Sequence, residues 1–221
     1  MIEILYEDDL LLICKKPSGT LSEDSEDISS LPRIIKKEYS EKGIELSLYP
    51  VHRLDREVCG AILYAKDQST AGKLSAMISE RNLKKEYIAV VEGYLEKKED
   101  RLIDLLFKDS KRNKSFVVDR QRRGVKEAIL DYSVIEQREN TSLVKIELHT
   151  GRTHQIRVQF SSRGHAVLGD RKYGSKTKAN EISLCSHKLE FKHPATGKML
   201  SVSCCPSING LWEKYADILH D

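Results

Sequence analysis

The chain has 221 residues, 39% of them hydrophobic and 32% charged, with 37 Lys and Arg against 34 Asp and Glu for a net charge of +3. That suits one sizeable domain, or two small ones, with a real core, and no apolar run approaches the ~20 residues of a membrane helix. The opening MIEILYEDDLL carries acids at once and no basic stretch, which argues against a secretory signal. Five cysteines (14, 59, 185, 204 and 205) without C-x-x-C spacing argue against disulfides and a zinc site, so a cytoplasmic protein is expected.

In chain order, EILYEDDLLLICKK reads as two short strands around Glu7-Asp8-Asp9, followed by a turn at Pro17-Ser18-Gly19. An acidic loop, SEDSEDISS, follows. A helix is predicted over 31–40, with Pro32 in its first turn and Gly43 beyond its end. STAGKLSAMISERNL reads as the clearest helix, capped by Ser69, with Ala71, Leu74, Met77 and Ile78 on one stripe. EYIAVVEGY fits a buried strand. AILDYSVI alternates with Ala128, Leu130, Tyr132 and Val134 on one side, and LVKIELH with Val144, Ile146 and Leu148. The tail GLWEKYADIL reads as a short amphipathic helix through Leu211, Tyr215 and Ile218. Many strands, few helices and no regular alternation predict an α+β protein on a largely antiparallel mixed sheet, flanked by helices and loops. A single domain over 1–221 is expected.

Charge is unevenly spread. Residues 1–60 hold 13 acids and 8 Lys/Arg, whereas 108–126 hold 8 Lys/Arg against Asp109 and Asp119. Such a basic strip suggests a polyanion partner; the alternative is a solvated hairpin.

Two stretches bring charge where apolar residues dominate. In VHRLDREVCGAILYAKD, His52, Arg53, Asp55, Arg56 and Glu57 crowd before an apolar run from Gly60 to Ala65. In LHTGRTHQIRVQF, Gly151 permits a tight turn and Thr153 is a candidate cap for a helix that starts near His154. Arg157 would share the face of Thr153 while Ile156 and Phe160 form a separate apolar stripe. The economical explanation is that the two stretches bring opposite charges to one place, where an Arg fork keeps a buried Asp55 ionised.

The block HRLD with Glu57 and Gly60, then KKEYIAVVEG, TGRTHQIRVQF and GHAVLGDRKYG, resembles the RluA-type RNA pseudouridine synthases. The similarity runs from about residue 3 to about residue 205 and includes the opening strand pair. It implies the pseudouridine synthase fold without the family's N-terminal S4-like domain, and conversion of uridine to pseudouridine in ribosomal or transfer RNA. It also implies no cofactor and no metal; a monomer without membrane contact is expected. By motif match, Asp55 would be the catalytic aspartate, Tyr87 the tyrosine that stacks on the target uracil, and Arg157 the partner of the aspartate. Arg53 would fill the space that the flipped base leaves. His52, Lys85, Arg152, Thr153 and His154 complete the RNA-binding set around the motifs, with Arg120, Arg122 and Arg123 from the basic strip. Arg152 and Thr153 hold either phosphate or only the turn. His52 and His154 read as hydrogen-bonding residues rather than acid-base groups, and Asp170 as a brace for its loop.

The chemistry fits the resemblance. Breaking a glycosidic bond develops positive character on the sugar, which a carboxylate can stabilise or capture. An isomerase must exclude water, so one carboxylate with an Arg and a Tyr suits the task better than the two acids of a hydrolase. One departure stands out: Val58-Cys59 occupies the positions where the family usually has Thr-Ser. It keeps open a paralogue that binds and helps fold RNA without modifying it. A nucleosidase would need a second acid, for which Glu57 is the local candidate.

Overall fold

Four successive residues with no solvent exposure, Leu11 to Cys14, begin the first strong strand, which is covered on both faces as a continuous apolar run requires. The computed structural model describes residues 1–219 and divides into two units. Unit one comprises residues 1–85 and 185–206; unit two comprises residues 86–184 and the segment from Ser207 onward.

In unit one, β1 (Ile4–Glu7) and β2 (Leu11–Lys16) run antiparallel, and the Asp8 carboxylate between them accepts from the backbone N–H of Leu10 and Leu11. Helix α1 (Leu31–Ser40) forms where the sequence predicts it, with Pro32 in the first turn and Leu31 and Ile35 buried. Gly43, at φ +77°, lies just past its end. After β3 (Tyr49–Pro50) and a loop comes β4 (Cys59–Ala65), antiparallel to β2. Helix α2 (Gln68–Ser79) is capped by Asp67, not by the expected Ser69. The Asp67 backbone is extended and its carboxylate takes both the N–H of Thr70 (2.8 Å) and the Thr70 hydroxyl (2.6 Å), which leaves Ser69 inside the first turn.

Unit two is built on five antiparallel strands: β5 (Lys84–Glu92, in this unit from Glu86), β6 (Glu99–Asp109), β7 (Lys114–Val118), β8 (Val125–Arg138) and β9 (Thr141–Leu148). They lie in the order β5-β9-β8-β6-β7. Tyr87, Ile146 and Tyr132 are directly opposite one another across β5, β9 and β8, so their side chains share one face, and all three are buried. Helix α3 (Gln155–Ser161) covers the same side: its Phe160 ring meets Tyr132 at 5.4 Å, and Val158 packs with Leu106, Ala128 and Tyr173.

The entry to α3 differs from expectation. Gly151 takes no positive φ, and Thr153 is not the cap. His154 is, in the left-handed conformation (φ 54°), while the carbonyl of Thr153 accepts the hydroxyl of Ser115 at 2.6 Å. All six residues from Gln155 to Phe160 are buried, so Arg157 lies on a helix enclosed all round rather than on a separate polar face.

The chain returns to unit one through β10 (Leu184–Lys192, in this unit from Cys185), parallel to β4, and β11 (Met199–Ser203), antiparallel to β10. The tail is a 3-10 turn over Gly210–Tyr215 that buries Trp212 and Tyr215, with Leu219 buried beyond it; Leu211 and Ile218 of the expected stripe are only half-buried. Few helices on mixed, mostly antiparallel strands make this an α+β protein.

Candidate active site

The loop over 51–58 carries Asp55, which is half-buried between the buried Leu54 and Val58. Its backbone is tied down at three successive points. The Ser22 hydroxyl donates to the carbonyl of Leu54 (2.9 Å) while its oxygen accepts the Leu54 N–H (3.0 Å). Lys16 Nζ and the backbone N–H of Gly19 both reach the carbonyl of Arg56, at 3.1 and 2.8 Å. The Ser18 hydroxyl reaches the carbonyl of Glu57 at 2.9 Å. A closing bond from Val58 N–H to the Asp55 carbonyl (3.1 Å) completes the turn into β4.

Lys16 is the unusual member, with no solvent exposure at all. Its ammonium donates to the carbonyls of Pro17 (3.0 Å), Thr20 (2.8 Å) and Arg56, three acceptors for three N–H groups. Burial pulls its pKa down to about 8, and the nearby Cys59, Asp55 and Glu57 oppose that fall. The β2 pattern held the clue: Lys16 continues the face of Leu12 and Cys14, where a solvated lysine has no place.

Neither Arg of this loop enters the apolar centre. Arg53 and Arg56 are exposed; Arg53 pairs with Glu23 at 3.0 Å, and Arg56 Nε donates to the carbonyl of Gly19. His52 is an acceptor, taking the Leu63 N–H on Nε2 at 3.0 Å, and burial, with Lys85 nearby, drives its pKa down to about 3. Its Nδ1 is buried without a hydrogen-bond partner. Lys85 is half-buried, which lowers its pKa.

In unit two, Arg157 is almost fully enclosed and forks onto Asp170, Nε to Oδ2 at 2.6 Å and Nη2 to Oδ1 at 2.9 Å. Its guanidinium lies 5.2 Å from the centre of the Tyr173 ring. The Tyr173 oxygen meets His154 Nδ1 at 2.8 Å and accepts the Ser115 N–H at 2.9 Å. Arg152 and Thr153 contribute to the turn: Arg152 Nε donates to the carbonyl of Glu127 and its N–H to Gln155 Oε1. Asp170 braces more than its loop. The motif GDRKYG offered that carboxylate, but not which cation it would meet.

The basic strip forms the far end of β6, all of β7 and the loop before β8. Arg120, Arg122 and Arg123 are exposed there; Arg122 lies over the Phe107 ring at 5.0 Å, and Arg120 stands 3.7 Å from Asp119. Lys114 reaches inward to 5.0 Å from the centre of the Tyr173 ring.

Residues 10–162 match the sequence model of the RNA pseudouridylate synthase family. An uncharacterised RNA pseudouridine synthase of Bacillus subtilis is 34% identical over 205 residues, covering 90% of this chain and 67% of the relative. The ribosomal large subunit pseudouridine synthase C of Buchnera aphidicola is 34% identical over 208 residues (90% of this chain, 65% of the relative), and that of Escherichia coli K12 is 31% identical over 218 (94% and 67%). The chain thus spans about two thirds of the length of these relatives. Among solved structures, human RNA pseudouridylate synthase domain containing 1 superposes with a TM-score of 0.78 at 22% identity, covering 94% of this chain and 84% of that one. Human RNA pseudouridylate synthase domain containing 4 superposes with a TM-score of 0.75 at 23% identity, covering 93% and 89%. At such identities the likeness is one of fold.

Proposed function

Because this chain belongs to the RNA pseudouridylate synthase family, we propose that it converts specific uridines in structured RNA to pseudouridine. The reaction breaks the N1–C1′ bond, turns the uracil and joins C5 to C1′. The target leaves its helix first, at a cost of a few kcal/mol, and stacking on Tyr87 returns about 1–3 kcal/mol of that. Asp55 supplies the carboxylate that stabilises or captures the developing charge, Arg157 is a further catalytic residue, and Arg53 fills the vacated space in the RNA. His52 and His154 orient these groups. Lys85, Arg152 and Thr153 lie along the RNA path, and Arg120, Arg122 and Arg123 hold phosphates.

The observation that supports this reading best is the tethering of the Asp55 loop. A group that must meet one sugar carbon needs its backbone held to a fraction of an ångström, and Lys16, Ser18 and Ser22 fix the carbonyls of three of its residues. The substrate is ribosomal or transfer RNA; relatives named for the large ribosomal subunit make that RNA the first to assay. No helix among the described residues is long and apolar enough to cross a membrane. The protein acts in the cytoplasm as a monomer, with the chain as one catalytic domain.

Pseudouridine mapping of cellular RNA with and without this protein tests the proposal. One or a few sites should vanish without it and return on re-expression. Intact sites together with retained RNA binding would favour a role in RNA folding instead.

A further inference from the structure

All five cysteines belong to unit one, and three of them form a connected series. Cys59 opens β4 and lies directly opposite Cys185 of β10 in parallel register. Neighbouring strands are ~4.8 Å apart, inside the Cα separation of about 4.4–6.8 Å that a disulfide accepts. The Cys185 sulfur leans over β4: a Cβ built on Gly60 would stand 2.8 Å from it. The neighbouring Cys204 and Cys59, together with burial, push the Cys185 thiol well above its ordinary pKa, and the Cys204 thiol donates to the carbonyl of Ser186 at 3.6 Å. Cys185 and Cys204 are buried, whereas Cys59 is half-buried and feels the Lys16 ammonium. Small packed residues explain buried thiols singly. They do not explain a thiol series whose accessible end adjoins the loop of Asp55.

We propose that Cys59 and Cys185 are a peroxide-sensitive dithiol whose oxidation to a disulfide displaces the Asp55 loop and shuts off the isomerisation. The proposal rests on the isomerase reading above. Hydrogen peroxide is the oxidant: the Cys59 sulfur attacks one peroxide oxygen, the O–O bond breaks, two electrons pass from sulfur to oxygen, and the departing hydroxide leaves with the Cys59 thiol proton as one water while Cys59 becomes the sulfenic acid. The Cys185 sulfur then attacks the sulfenic sulfur, the S–S bond forms and a second water departs. The proton of the Cys185 thiol leaves with the sulfenic hydroxyl as that second water. Drawing Cys59 to an S–S distance of about 2.0 Å pulls on the residue next to Val58, whose N–H closes the turn on the Asp55 carbonyl. A displacement near 1 Å at a reacting group lowers turnover by roughly 100-fold.

The test treats the wild type and Cys59→Ser with hydrogen peroxide and follows both pseudouridine formation and the non-reduced peptide map. A Cys59–Cys185 peptide pair two hydrogens lighter should appear in step with a loss of activity of about tenfold or more, and dithiothreitol should reverse both. Cys59→Ser should keep its activity in peroxide. Absence of the linked pair, a linked enzyme with full activity, or equal inactivation of Cys59→Ser would each overturn the proposal. Because the map needs no turnover, a reduced enzyme that is inert from the outset speaks against the isomerase reading alone.

Discussion

Arg157 and Asp170 form a two-pronged ion pair with about 1% of either residue exposed, one on a helix buried all round and the other after the tight turn at Gly169. Such a pair adds little net stability over an apolar core, but losing one partner strands a charge. The more consistent role is to fix the guanidinium plane, since a bidentate fork sets orientation as well as distance.

Asp170→Asn should therefore destabilise the fold by about 3–5 kcal/mol, and Arg157→Leu by a similar amount. The double variant Arg157→Leu with Asp170→Leu should lose clearly less than the sum of the two. Urea denaturation measures this; strictly additive losses would show that the two residues are not energetically paired.

Lys16 links the loop to pH. Burial lowers its pKa from the ordinary 10.5 to about 8, so the unfolded chain keeps a proton that the folded chain has released. Through that window this group raises folding stability as pH rises, and below about pH 8 it opposes folding. The loop responds the other way, because a neutral amine has two N–H donors for three carbonyls. Turnover should fall as pH rises through about 8, with no matching loss of melting temperature from this source. Lys16→Met should turn over slowly at every pH and lack the alkaline limb. Wild-type turnover that stays level to pH 9 would remove Lys16 from the control of the loop.

Tyr87 separates ring from hydroxyl. Tyr87→Phe keeps the stacking surface and should bind RNA normally, yet release little free pseudouridine if the hydroxyl takes the C5 proton. Tyr87→Leu should capture the flipped base more weakly. Both variants need melting curves, because Tyr87 is buried at 6% exposure on β5. Wild-type rates in Tyr87→Phe would leave the residue a stacking role only.

Replacing Arg120, Arg122 and Arg123 with Gln should weaken RNA binding. It should also flatten the salt dependence by up to about 0.7–0.9 in log–log slope for each phosphate that is no longer neutralised. Filter binding across a salt series reads this directly. An unchanged slope would return the strip to a solvated hairpin.

Periodicity made most of the framework legible. The alternating β8 and β9 follow from apolar spacing, and the helix over Leu31–Ser40 from Pro32 at its start and Gly43 beyond its end. Where reading failed, local chemistry had two solutions. Asp67 and Ser69 can both cap α2, and the extended backbone at Asp67 decided between them. Thr153 ceded the cap of α3 to a left-handed His154 whose ring is tied to Tyr173, a pairing between residues 19 apart that spacing does not reveal. Of the candidate catalytic residues, the motifs single out Asp55 and Arg157. Lys16 and the Asp170 fork escaped because a lysine in a strand and an acid in a turn are ordinarily solvated. Their burial depends on three carbonyls and one guanidinium that only the folded chain brings together.

The most direct measurement is pseudouridine formation by Asp55→Asn on RNA from cells that lack the protein. The substitution keeps side-chain shape and removes the charge. RNA should bind with near wild-type affinity, the melting temperature should hold, and no pseudouridine should form. Turnover by the Asn variant at a substantial fraction of the wild-type rate would contradict the role assigned to Asp55 and the mechanism built on it.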